Sequence, residues 1–360
     1  MRPASPLPAG HNLGLDLLRA SAILLVLICH WAGHFDYWLG VAIPPAVEAL
    51  GDTGVALFFA LSGFLIGRIL IGIGEQRPGW ADFATFLLRR ALRTLPLYLL
   101  WLALLLLAFP PRTDAMATGL RFLTLTQNLL AEMPDDYYFA VSWSLAIEEW
   151  FYLLFGAAFL AAARWLGARR AARLVLPLFL LLPLLARLLH GDPPSLVPYR
   201  LDEIAYGVLM AHLARHGRGW LGYPRASLAI GLALMAVSVA GLPPHALGPN
   251  TLVAGCALLL PASMRLRHAP AWLAAPIRWI AGRSYALYLV HLTVLTDIVE
   301  RGLWEPGWLG TPACIALAIL GPAVLAELSW RLLEQPVLRL RPAQARTRAP
   351  MPAGIEIALP

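Results

Sequence analysis

The chain has 360 residues, 59% of them hydrophobic and only 14% charged, with a mean hydropathy of +0.67. A soluble domain keeps roughly a quarter of its residues charged, so composition excludes an ordinary soluble protein and points to an all-α, polytopic membrane protein. The formal net charge of +7 comes entirely from arginine, because the sequence holds no lysine. That excludes lysine nucleophiles and Schiff bases, and arginine gathered in short loops reads as a topology signal, not as a nucleic-acid footprint.

Apolar runs of about 20 residues bounded by Arg, Pro or Gly predict ten spanning helices, over 13–34, 52–72, 86–108, 141–163, 173–189, 200–214, 225–241, 247–264, 277–299 and 312–333. The sixth is the weakest, being short and carrying Asp202 and Glu203. Residues 1–12 form a short leading segment. The first run is expected to stay in the protein, because Arg19 would interrupt the apolar core of a cleavable leader.

Loop charges test that count. Arg77, Arg89, Arg90 and Arg93 precede or open the third helix, and Arg164, Arg169, Arg170 and Arg173 lie between the fourth and fifth. Arg215, Arg218 and Arg225 follow the sixth, Arg265, Arg267, Arg278 and Arg283 surround the loop before the ninth, and Arg339, Arg341, Arg346 and Arg348 lie beyond the last. With ten spans all of these fall on one side. The other collects Asp114, Glu132, Asp135, Asp136, Asp192 and Glu305, with few arginines such as Arg112, Arg121 and Arg301. The positive-inside rule then places both termini in the cytoplasm. Residues 13–333 read as a single transmembrane domain and 334–360 as a Pro- and Arg-rich disordered tail. No internal repeat of the transporter kind is visible. Cys29, Cys256 and Cys314 sit in apolar runs at no metal-ligand spacing, so no metal is expected.

The first run, LGLDLLRASAILLVLICHWAGH, carries Asp16, Arg19 and His30 at membrane depth, where ionisable groups are costly and usually functional. Arg19 and His30 are eleven residues apart, which returns to within about 20° of the same azimuth after a rise of about 16 Å. One helix face therefore presents a shallow guanidinium and a deep imidazole. Asp16 is close enough to pair with Arg19.

Further along, FFALSGFLIGR (58–68) places Ser62 and Gly63 in an apolar helix, either to permit close packing or to line a cavity. RRALRTLPLY (89–98) clusters Arg89, Arg90 and Arg93, a topogenic group whose guanidinium forks also match phosphate. SWSLAIEEWFY (142–152) holds Ser142, Trp143 and the adjacent Glu148 and Glu149. Carboxylates inside a span need partners, either in a structural ion pair or in a cavity. GRSYALYLVH (282–291) sets Tyr285, Tyr288 and His291 at i, i+3 and i+6, again ending on a histidine at membrane depth.

These stretches, together with YRLDEIAYG (199–207), resemble in kind and in order the acyltransferase family 3 membrane proteins, bacterial O-acyltransferases that decorate glycans and related acceptors. Trp150 stands where Gln is commoner in the family's glutamate motif, and Leu17–Leu18 replaces a Gly-containing start. The resemblance implies a multi-pass protein of the bacterial inner membrane, an acyl-CoA donor (most often acetyl-CoA) from the cytoplasm, and a hydroxyl acceptor such as a cell-surface glycan. No hydrolase-like domain is expected to follow, unlike in fused members.

On that resemblance Arg89, Arg90 and Arg93 hold CoA phosphates, and Arg19 stands at the entrance of the thioester arm. His30 is the catalytic base or a transient acyl carrier. Glu148, Ser142 and Trp143 line the cavity or orient the acceptor, and His291 orients it or acts as a second acid/base group. The competing expectation is a transporter or flippase, since buried charges also mark substrate paths.

Overall fold

The computed structural model describes residues 12–111, 114–131, 133, 138–191, 195–216, 223–305 and 307–342. Among them all regular structure is helical. Arg112, Glu132, Asp135, Asp136, Asp192, Arg218, Arg346 and Arg348, on which part of the loop-charge argument rested, lie outside these residues, as do residues 1–11 and 343–360.

The chain runs α1 (Leu13–Leu39), α2 (Pro45–Gly74), α3 (Trp80–Ala108), α4 (Ala115–Leu123), α5 (Ser142–Leu166), α6 (Ala168–His190), α7 (Leu201–His216), α8 (Pro224–Val239), α9 (Gly248–Leu258), α10 (Leu260–Ser263), α11 (Ala271–Thr293), α12 (Thr311–Ser329) and α13 (Gln335–Arg339). Each apolar run read from the sequence has a helical counterpart. Seven described helices are long and apolar enough to cross a membrane.

Local chemistry explains where the ends moved. The second helix starts at Pro45 rather than 52, where a missing N–H costs nothing in the first turn. The third starts at Trp80, before the arginine cluster, with Asp82 accepting from the Gly79 N–H at 2.7 Å. Arg89, Arg90 and Arg93 therefore sit well inside α3 and not in the loop before it.

Other departures are larger. The short helix α4 lies in the connection between the third and fourth predicted spans. The ninth run turns at Val294 into a π-helical stretch, Val294–Trp304. Residues 334–342 are not the start of a loose tail: the stretch Trp330–Glu334 is π-helical, α13 follows, and Arg89 donates to the Pro342 carbonyl. Glu334 is buried.

The core lies where α2 meets α1, α5 and α7. Phe151, Phe155 and Phe159 stack one turn apart along α5, with ring centroids 4.9 and 5.8 Å apart, and Phe179 of α6 meets them edge-on. The α2–α7 crossing depends on Gly63 and Gly207. A Cβ on Gly63 would fall 1.9 Å from the Ile204 carbonyl oxygen, and one on Gly207 would fall 2.2 Å from that of Ala60. Small residues let helix backbones meet in lipid, where the hydrophobic effect gives no pairing force.

The weak sixth run is explained by its partners. Arg187 of α6 is wholly buried and donates to both carboxylate oxygens of Asp202, to the Asn250 side chain and to the Tyr199 carbonyl. Asn250 also donates to Asp202 at 2.8 Å, and Arg200 pairs with Glu203 at 2.9 Å. Asp202 and Glu203 of α7 thus enter the bundle as satisfied charges, the condition under which burial is tolerated.

Candidate active site

A cavity opens between α1, α2, α3, α5 and α11. Helical periodicity builds its walls. From α3 come Arg90, Arg93 and Thr94, from α5 Ser144, Glu148 and Tyr152, from α11 Tyr285 and Tyr288, from α2 Phe58 and Ser62, and from α1 Arg19. Each set recurs at three- or four-residue spacing, so each helix turns one stripe inward.

One end of the cavity is cationic. Arg90 is only 8% exposed, and its buried Nε has no hydrogen-bond partner among the described residues. Arg19 has Asp16 at 3.7 Å, and Arg93 shares its surroundings. Arg341, which the sequence assigned to the tail, lies in electrostatic contact with Arg93, Arg90 and Arg89. Its Nε and Nη2 are buried without partners among the described residues, and burial and those like charges push its guanidinium pKa below the ordinary value. Arg89 itself points away from the cavity lining to the Pro342 carbonyl, tying the C-terminal segment to α3. Buried guanidinium groups with spare donors fit a multiply charged anion such as phosphate.

The middle of the cavity is hydroxyl-rich. Tyr152 donates to Glu148 at 3.0 Å, and its oxygen lies 2.7 Å from Ser62 Oγ. Glu149 does not line the cavity and accepts from Thr94 Oγ1 at 2.6 Å, while Tyr285 donates to the Thr94 carbonyl at 2.6 Å. Gly63 serves packing, while the Ser62 side chain faces the cavity from an unbroken α2, with no backbone turn at that point.

At the far end the Tyr288 hydroxyl lies 2.7 Å from Ser144 Oγ. Beyond Tyr288, whose ring centroid is 6.0 Å from that of His291, lies a pair of histidines. His291 Nδ1 sits 3.1 and 2.8 Å from the Leu287 and Tyr288 carbonyl oxygens, and its Nε2 lies 3.0 Å from His30 Nδ1. Carbonyl oxygens only accept, so Nδ1 of His291 carries the hydrogen and its Nε2 holds a lone pair. His30 Nδ1 must then donate. The lone pair of His30 Nε2 is left without a hydrogen-bond partner among the described residues.

The structure therefore brings together Arg19, Arg90, Arg93, Ser62, Glu148, Tyr285 and Tyr288 in the cavity lining, with Asp16 behind Arg19 and the His30–His291 pair past the end. It leaves out Ser142 and Trp143. Ser142 is buried and accepts from Gln127 at 3.2 Å, while the Trp143 ring packs edge-on against Phe59. Counting back four from Glu148, one helical turn, gives Ser144; counting six, to Ser142, leaves the face. That spacing was the available signal for Ser144 and, in the other direction, for Tyr152. Trp150, the departure noted in the glutamate motif, points away and donates to the Leu125 carbonyl at 2.8 Å.

A family profile described as an acyltransferase domain matches residues 12–327. The chain is 27% identical over 369 residues to the peptidoglycan O-acetyltransferase OatA of Listeria monocytogenes, covering 90% of this chain and 55% of that one. It is 27% identical over 313 residues to the exopolysaccharide production protein ExoZ of Rhizobium meliloti, covering 81% of this chain and 90% of the relative. It is 25% identical over 396 residues to nodulation protein 10 of Rhizobium leguminosarum, covering 95% and 97%. The chain spans only about half the length of OatA and of the putative peptidoglycan O-acetyltransferase YrhL of Bacillus subtilis. No solved structure matches. With its profile match running through the helices that build this cavity, the chain belongs to the acyltransferase 3 family of membrane proteins.

Proposed function

We propose that the protein is a membrane O-acyltransferase that moves an acyl group, acetyl in the simplest case, from cytoplasmic acyl-CoA to a hydroxyl of a glycan or similar acceptor. The observation that carries this reading is the polarity of one cavity. Buried arginines with unused donors stand at one end, and hydroxyls leading to an imidazole pair stand at the other. The relatives' names, O-acetyltransferases and an exopolysaccharide production protein, support the acceptor class.

In this reading the chain crosses the bacterial inner membrane ten times with both termini cytoplasmic, supported by the arginine bias of the loops. CoA phosphates pair with Arg90, Arg93 and Arg341, and Arg19 stands beside the pantetheine arm. The thioester carbonyl reaches Ser144 and Tyr288, whose hydroxyls donate to the oxygen that gains charge during attack.

The acceptor hydroxyl approaches His30 from the opposite side. Its oxygen attacks the carbonyl carbon while His30 Nε2 takes its proton, and His291 holds the hydrogen on Nδ1 in place. Collapse of the tetrahedral intermediate breaks the carbon–sulfur bond. The CoA thiolate leaves and takes the proton from His30, so an ester and free CoA result. Glu148 balances the arginine charge in the wall of the thioester path.

The test is incubation of the purified protein in lipid nanodiscs with labelled acetyl-CoA and a glycan fraction from the host envelope. Covalently labelled glycan is expected. Label that crosses or binds without forming a covalent product would replace this reading with a transporter.

A further inference from the structure

Past His30 the same side of α1 continues as His34, Tyr37 and Trp38, at four-, seven- and eight-residue steps. None of these lines the cavity described above. His34 Nδ1 donates to the His30 carbonyl at 2.9 Å, and its Nε2 lies 3.4 Å from Glu300 Oε2. Glu300 belongs to the π-helical stretch Val294–Trp304, which follows directly from the helix that carries His291. The same stretch supplies Asp297, held by Arg301 at 3.2 Å, and ends on Trp304.

Across the gap the Tyr37 and Trp304 rings meet with centroids 5.2 Å apart, and the Trp38 and Trp304 rings with centroids 6.4 Å apart. Tyr37 is 59% exposed. π-helical turns interrupt the ordinary register and recur at functional sites.

Aromatic rings at helix ends also occur as a belt at the membrane surface, facing headgroups. Two observations separate this group from a belt. Trp38 is only 7% exposed and stands edge-on to His34 at 5.8 Å, so it faces the protein. Its indole N–H is buried with no acceptor among the described residues, whereas a buried tryptophan N–H ordinarily finds one. An unfilled donor, exposed ring faces and carboxylates a few residues from a catalytic imidazole match the chemistry of a sugar. Its C–H faces stack on rings, and its hydroxyls both donate and accept.

We propose that the outer end of α1 and the π-helical stretch form the acceptor subsite, seating a sugar ring against Tyr37 and Trp304 with hydroxyls reaching Glu300 and the Trp38 N–H. The proposal rests on the acyl-transfer reading and names where the acceptor binds. The two rings lie about two helical turns, roughly 10 Å along α1, beyond His30, so a sugar seated there directs the adjoining sugar of the same glycan toward His30 Nε2 while the donor occupies the arginine-lined cavity on the other side of Tyr288.

The experiment uses the full chain in nanodiscs, labelled acetyl-CoA, and the host-envelope glycan fraction as acceptor probe, with each concentration varied in turn. Tyr37→Ala and Trp304→Ala are each expected to raise the glycan concentration for half-maximal transfer about tenfold. The half-saturating acetyl-CoA concentration should stay at the wild-type value, which also shows that the variants fold. Tyr37→Phe and Trp304→Phe keep a ring and should keep most of the glycan affinity. An unchanged glycan dependence in the alanine variants overturns the subsite, as does a parallel loss of acetyl-CoA affinity with no recovery in the Phe variants. If wild type labels no glycan, the acyl-transfer reading itself falls, and the subsite falls with it.

Discussion

His291 Nε2 lies 3.0 Å from His30 Nδ1, while His291 Nδ1 is committed to the carbonyl oxygens of Leu287 and Tyr288. Two helices far apart in sequence thereby fix one tautomer, with the free lone pair on His30 Nε2. His291 is wholly buried; on the proposed reading it acts through His30, as a positioning residue.

This relationship predicts an asymmetry between the two histidines. His291→Ala should lower kcat by at least about tenfold, a part of the roughly 10²–10⁴-fold that a general base contributes, and leave both KM values near wild type. His291→Gln, whose side-chain oxygen can accept from His30 Nδ1, should recover most of the loss. Steady-state rates in nanodiscs check this. An alanine variant that the glutamine does not improve would mean that His291 matters only for packing.

Arg341 carries the second prediction. On the proposed reading, its buried nitrogens, which have no partner among the described residues and lie beside Arg90 and Arg93, bind the acyl-CoA donor. Hydrogen bonds to charged groups contribute about 1.5–3 kcal/mol. Arg341→Gln should therefore raise the KM for acetyl-CoA by roughly 10–100-fold and leave the KM for glycan unchanged, as read from donor and acceptor titrations. A shift in the glycan KM alone would move Arg341 out of the donor site.

Stability depends on Arg187. It donates to Asp202, Asn250 and the Tyr199 carbonyl with no exposure to solvent. Arg187→Met strands the Asp202 carboxylate and should destabilise the fold by about 3–5 kcal/mol. Replacing both partners with apolar residues, Arg187→Met with Asp202→Leu, should restore much of the loss, because no charge is then left uncompensated. Thermal unfolding in detergent distinguishes the two variants.

The helices were legible in the sequence because apolar length is a strong signal. Even the weak run around Asp202 and Glu203 became α7, since the charges that weakened its signal are those that Arg187, Asn250 and Arg200 satisfy. The nine-residue α4 was too short to register as a span. The π-helical turn after Thr293 leaves no mark in hydropathy, because a change of hydrogen-bond register needs no change of composition.

In the site, Arg19, His30, Glu148 and Tyr288 were readable as ionisable or polar groups on apolar helices. Ser144, one helical turn before Glu148, lines the cavity where Ser142, six residues before it, does not. Arg341 was hidden because an arginine in a Pro-rich C-terminal stretch looks solvated until Arg89 is seen to tie that stretch to α3. The pairing of His30 with His291 spans 261 residues, and no local pattern announces it.

The most direct measurement is transfer of label from acetyl-CoA to envelope glycan by His30→Ala, reconstituted at the wild-type amount and checked for retained acetyl-CoA binding. The account predicts that the donor still binds while the transfer rate falls by about 10²–10⁴-fold. Full transfer by the variant would contradict it.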